Sequence, residues 1–174
     1  MTVDRLLDLA ATINPGFYLI IAALPAAVAR DAFTRAVALI GGPVLGLLAM
    51  LYPPVSGADV SRQLFLGFEL SLYRSDSLSL IFGLGFVLAA VLGGIYSMHR
   101  RDRLQDAAGL VYAGAALGAI FAGDLITLVL FAELATLASA LVVFAARTGP
   151  AYRAGLRFLT IQIIAGLLLT AGAA

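Results

Sequence analysis

Between Asp124 and Arg147 the chain runs LITLVLFAELATLASALVVFAA, twenty-two residues of which only Glu133 is charged. A helix needs about 20 apolar residues to cross roughly 30 Å of hydrocarbon at about 1.5 Å per residue, so this run reads as a membrane span. Counted from Asp124, Glu133 lies about 14 Å in, close to the bilayer midplane. An ionised carboxylate at that depth costs at least a few kcal/mol, so it must meet a cation, take a proton or face water. This one acid therefore demands a partner, and it restricts what the surrounding helices can be.

The rest of the chain supplies such helices. Hydrophobic residues make up 62% and charged residues 12% of the 174 positions, and the mean hydropathy is +1.04; such values belong to integral membrane proteins rather than soluble domains. Apolar runs of spanning or near-spanning length fall at residues 14–29, 36–55, 77–98, 107–122, 124–146 and 154–174. Ahead of the helix-start signal Asn14-Pro15-Gly16, Leu6, Leu7, Leu9 and Ala10 recur at helical spacing, giving a short interfacial helix over residues 1–13. Pro25 is expected to kink the first span, and Gly41-Gly42-Pro43 to kink the second and bring it close to a neighbour. The hydrophilic stretches from Arg30 to Arg35 and from His99 to Asp106 read as loops.

Between Ser56 and Ser75 the pattern changes. Leu64, Leu66, Phe68, Leu70 and Leu72 alternate with Phe65, Gly67, Glu69, Ser71 and Tyr73, a period of two that belongs to a strand or hairpin outside the membrane. The fold class is thus an all-α polytopic membrane protein: about six transmembrane helices in one domain over residues 1–174, with a short extracytoplasmic β-hairpin or strand arm between helices two and three.

All eleven basic residues are arginine, so no lysine is present to act as a titratable relay base. The loops after spans one, three and five hold Arg30, Arg35, Arg100, Arg101, Arg103, Arg147 and Arg153, against Arg5, Arg62 and Arg74 on the other side. By the positive-inside rule both termini lie outside the cytoplasm, in a multi-pass protein of the cell inner (plasma) membrane. Asp4 and Asp8 stand where a signal peptide would be basic, so the N-terminal segment is expected to be retained. The absence of cysteine and the single histidine, His99, exclude disulfides, thiolate sites and polyhistidine metal sites. No phosphate-cradling glycine loop, nucleophile motif or nucleic-acid footprint is present, and neither metal nor cofactor is expected.

Glu133 is read as a proton- or cation-carrying group, set against a neutral packing role. Thr136 and Ser139 follow it at about one-turn spacings and could line the same hydrated face, or simply pack. On the sixth span Gln162 is close to Glu133 in depth and is a pathway candidate that could join a water chain, with an interhelical hydrogen bond the favoured role. Arg157, the other pathway candidate on that span, sits near its start, too shallow to pair directly with Glu133, and snorkelling to the headgroups is its favoured role. Asp124 and Asp76 are read as N-caps of the fifth and third helices. His99 and the cluster Arg100, Arg101 and Arg103 are interfacial, setting topology and meeting lipid headgroups.

The run Asp124-Leu125-Ile126-Thr127-Leu128, with Phe131-Ala132-Glu133-Leu134-Ala135-Thr136-Leu137-Ala138-Ser139, resembles the fifth-helix motif of the antiporter-like subunits. These are shared by Mrp-type Na⁺/H⁺ antiporters, respiratory complex I and membrane-bound hydrogenases, and the chain is most similar to the MrpD type. Asp76-Ser77-Leu78-Ser79-Leu80-Ile81-Phe82 looks like the start of that family's third helix, and Gly155-Leu156-Arg157-Phe158-Leu159 with Gln162 like the start of its sixth. Ala132 replaces the aromatic that usually precedes the acid, and Ala135 replaces a methionine. The resemblance implies that Glu133 is the functional acid and that the chain corresponds to the N-terminal half of such a subunit. In the family a lysine on the seventh helix pairs with this glutamate.

The expected function is therefore that of an ion-translocating subunit, a transporter component rather than an enzyme in its own right. It would carry H⁺, coupled to Na⁺ or another monovalent cation, inside a multisubunit membrane complex. An adjacent membrane subunit would supply a lysine near Glu133, and the lipid bilayer is the other partner; nucleic acid is not. Two alternatives share the helices: an assembly subunit without transport of its own, and a proton-pumping subunit of a redox-driven complex.

Overall fold

The computed structural model describes residues 12–52, 59–65, 68–100 and 102–173. It is mostly helical, with helices α1 (Gly16–Val28), α2 (Ala32–Leu51), α3 (Ser77–Ser97), α4 (Arg103–Ile120), α5 (Leu125–Phe144) and α6 (Gly149–Ala173) and strands β1 (Asp59–Phe65) and β2 (Phe68–Arg74). Four helices, α2, α3, α5 and α6, are long and apolar enough to cross a membrane. Helix α1 has 13 residues and covers only about 20 Å at helical rise. Helix α4 has 18 residues but opens with Arg103 and Asp106 in its first turns. The interfacial helix expected over residues 1–13 lies almost wholly outside the described residues.

Aspartate N-caps set the helix starts. The side chain of Asp31 accepts from the Thr34 N–H at 2.6 Å, Asp76 from Ser79 at 2.8 Å, Asp102 from Leu104 at 3.0 Å, and Asp124 from Thr127 at 2.8 Å. Each carboxylate satisfies an N–H that the helix leaves unpaired and meets the positive end of the helix dipole. The backbone hydrogen bonds hold the Asp31 and Asp76 carboxyls below the ordinary carboxylate value of 3.8. The caps also correct two loop assignments. Asp31 starts α2 at Ala32, so Arg35 is helical, and Asp102 starts α4 at Arg103, so Asp106 is helical too. Both side chains are buried, at 7% and 2% exposure.

Helices α1, α2, α3 and α4 pack in a closed ring, each touching the next and α4 returning to α1; α5 lies against α4, and α6 against α5. Backbones approach closely where side chains are absent: a Cβ on Gly16 would stand 2.6 Å from the Gly118 nitrogen, and one on Gly94 2.8 Å from the Leu39 carbonyl oxygen. Proline interrupts the hydrogen-bond ladder inside α1 at Pro25 and inside α2 at Pro43. The ring's core divides into an end built on Leu19, Met50, Tyr73, Val87, Leu117 and Phe121 and an alanine-rich end around Ala26, Ala38, Leu39 and Leu110.

Strands β1 and β2 form an antiparallel two-stranded sheet, pairing from Asp59↔Arg74 to Phe65↔Phe68 with irregularities near Ser61. The hairpin is tied to the bundle by its backbone. The Arg74 N–H donates to the Phe121 carbonyl and the Gly123 N–H to the Ser71 carbonyl, both at 2.9 Å. Asn14, 1% exposed, donates to the carbonyls of Leu72 at 2.7 Å and Gly118 at 3.1 Å, so one amide joins the start of α1 to β2 and α4. Tyr73 meets Phe121 edge to face at 5.6 Å, and burial pushes its phenol up to about 12.

Candidate functional site

Helices α5 and α6 are joined by a tight turn in which Arg147 takes a left-handed backbone conformation, φ 53°. The Thr148 hydroxyl then accepts from the Ala151 N–H at 3.2 Å and starts α6. The two helices run antiparallel with one register. Gly155 faces the Phe144 ring, Gln162 faces Thr136, and Gly166 faces Glu133. The outer two of these pairs are separated by eleven residues on each helix, about 16 Å.

At the contact farthest from the turn the Glu133 carboxyl group rests directly on the α6 backbone. A Cβ on Gly166 would overlap it, standing 2.5 Å from Cδ and 2.8 Å from Oε2. The Gly166 carbonyl is turned elsewhere, accepting from the Thr170 hydroxyl at 2.8 Å. Glu133 is half-buried, and among the described residues no hydrogen bond or ion pair reaches its carboxylate. One turn away, Gln162 Nε2 donates to Thr136 Oγ1 at 3.1 Å, the interhelical bond expected of it. The Ser139 hydroxyl bonds back to the Thr136 carbonyl at 2.7 Å, which takes it out of direct contact with the acid.

Glu133, Thr136, Ser139 and Gln162 therefore share one seam. Arg157 does not join them. It is exposed and, being nine residues from Gly166 on α6, lies about 13 Å along the axis from the level of Glu133. Because α6 starts at Gly149, Arg157 is eight residues into the helix rather than at its mouth, about 12 Å from the end.

A second intrahelical acid was not singled out by the sequence. Asp106 accepts from Arg35 Nε and from the Ser97 hydroxyl. The same guanidinium donates to the Ser97 carbonyl at 2.7 Å and the Met98 carbonyl at 3.2 Å. One arginine thus neutralises the acid and caps the C-terminal end of α3, binding α2, α3 and α4 at the arginine-rich end of the molecule. The signal available was the pair of segments Asp31–Arg35 and Asp102–Asp106, each a capping aspartate with a charge four residues on.

At the opposite end Asp124 does more than cap α5. It accepts from the Thr127 hydroxyl at 2.6 Å and from the Ser71 N–H of β2 at 2.7 Å. Burial works to raise its pKa, but the Thr127 and Ser71 hydrogen bonds outweigh it and hold the carboxyl below 3.8. Among the described residues no group of three His, Cys, Asp or Glu side chains is placed to hold a metal ion. No family model, curated protein or solved structure matches the chain.

Proposed function

We propose that this chain is the N-terminal part of an antiporter-like ion-translocating subunit, in which Glu133 carries H⁺ coupled to Na⁺ or another monovalent cation. The observation that carries the reading is the state of that one side chain. It lies on a membrane-length helix, and no described residue gives it a cation or a hydrogen bond. A carboxylate in such a place is expensive unless its charge is shared or lost. Its surroundings also contain the Thr136 hydroxyl and the Gln162 amide, polar groups able to hold water along the seam. In this mechanism Glu133 alternates between neutral and ionised as a cationic side chain of an adjacent subunit approaches and withdraws. An opposite charge favours the ionised form and desolvation the neutral one. All six helices then cross the membrane within a multisubunit complex, with the arginine-rich end cytoplasmic and the hairpin outside.

Exchange of Glu133→Gln tests the reading, because glutamine keeps shape and hydrogen bonding but cannot ionise. Cation-driven proton flux, followed by a pH-sensitive dye in vesicles holding the assembled complex, is expected to vanish while assembly is kept. Unchanged flux would assign the chain a structural role instead.

A further inference from the structure

Helix α4 presents its Gln105–Gly109–Tyr112 face as the floor of a groove, with α3 as one wall and Val142 of α5 on the other side. The groove holds about 300 Å³ and is apolar along most of its length. On α3 it extends from Phe86 to Ser97, eleven residues, or about 16 Å at helical rise. That is the depth of one leaflet, half of roughly 30 Å of hydrocarbon. Two glycines keep it open: Gly93 on the wall and Gly109 on the floor have no heavy atom within 4 Å of where a Cβ would stand.

At its upper end the groove continues, through the shared residues Gln105 and Val142, into a polar cleft of about 410 Å³ lined by Arg100 and Asp102. Charges at this junction do not cancel. Asp106 is matched by Arg35, and Asp102 by Arg147 at 3.4 Å together with two backbone N–H groups. The Arg100 guanidinium has no ion pair among the described residues. An apolar slot one leaflet deep that ends beside an arginine without a matching acid among the described residues suits an amphiphile with a hydrocarbon tail and a negative head.

We infer that this groove is a binding site for an anionic phospholipid, one acyl chain lying between α3 and α5 over the α4 floor and its phosphate meeting Arg100. The inference depends on the chain being embedded in a bilayer and not on transport by Glu133, so the outcome for Glu133→Gln leaves it unaffected.

The natural chain has no tryptophan, so Tyr112→Trp places a single fluorophore on the groove floor. In phosphatidylcholine vesicles its quenching by acyl-brominated phosphatidylglycerol is compared with that by acyl-brominated phosphatidylcholine. Phosphatidylglycerol is expected to associate roughly fivefold more strongly, the scale of one basic side chain at an anionic surface. Adding Arg100→Gln should bring the two lipids to parity. Adding Gly93→Leu or Gly109→Leu, positions where a Cβ meets no heavy atom within 4 Å, fills the slot from opposite sides and should weaken quenching by both lipids while circular dichroism shows unchanged helix. An undiminished preference in Arg100→Gln, or undiminished quenching in both leucine variants, overturns the assignment. So does a parent tryptophan that neither lipid quenches, the result expected if a second protein chain covers the groove.

Discussion

Among the described residues two carboxylates lie within helices, and their surroundings are opposite. Asp106, in the four-helix ring, is sealed from solvent and held by an arginine and a hydroxyl on two other elements. Glu133, outside the ring on the α5–α6 seam, is half-buried and lies against the Gly166 backbone, with no hydrogen bond or ion pair among the described residues. A fully satisfied buried ion pair fixes the arrangement of the helices it joins. An acid without hydrogen-bond or ion-pair partners among the described residues is held there by packing alone. The difference separates a part of the molecule tied by charge from a part placed by packing.

The sharpest way to break this contrast is to remove the arginine. Arg35→Met leaves Asp106 buried and uncompensated, which should cost about 3–5 kcal/mol, read by chemical or thermal unfolding in detergent. The double variant Arg35→Met/Asp106→Leu should recover most of the loss; if it does not, the pair is not what couples α2 to α4. Next in size is Gly166→Ala. A methyl group there displaces the Glu133 carboxyl, at about 1–3 kcal/mol for an overfilled contact, and trimming the acid in Gly166→Ala/Glu133→Ala should relieve it. Equal stability of Gly166→Ala and the parent would show that the carboxyl does not occupy that niche.

Asp124 supplies an intermediate case, an acid satisfied by neutral donors. Its folded pKa lies below the unfolded 3.8, so the stability it contributes is complete above pH 3.8 and is lost as pH falls through the lower folded value. Asp124→Asn keeps a capping oxygen but does not titrate. Its stability should therefore fall less steeply than the parent's below pH 3.8, by about 1 kcal/mol in total, the worth of a cap. Parallel curves would remove Asp124 from the acid response. The smallest effect belongs to the bond beside Glu133: Gln162→Leu should cost about 0.6 kcal/mol, typical of an interhelical hydrogen bond in a membrane. A loss of several kcal/mol would mean the seam is as rigidly tied as the ring.

Much of this was legible in the sequence because membrane helices announce themselves by length and apolarity, and because a capping aspartate acts on residues three positions away. The run carrying Glu133, the caps at Asp76 and Asp124 and the strand period all depend on such local patterns, and the Gln162 bond follows from the register of two consecutive helices. The Arg35–Asp106 pair depends instead on two positions 71 residues apart. Both were hidden by the assumption that charges flanking a hydrophobic run lie in loops, although Asp31 and Asp102 mark helix starts that place them inside. Gly166 was invisible for another reason. Glycine in a helix costs about 1 kcal/mol relative to alanine and so asks for an explanation, but the chain has 18 glycines, and only the packing shows which one faces an acid.

The hydrogen bond from Ser71 to Asp124 gives the hairpin a mechanical meaning. The same carboxylate that begins α5 is fastened to β2, so displacing the hairpin pulls on the first turn of the helix that bears Glu133, nine residues or about 14 Å further along. A load on those strands is thereby transmitted to the helix of the acid from a distance.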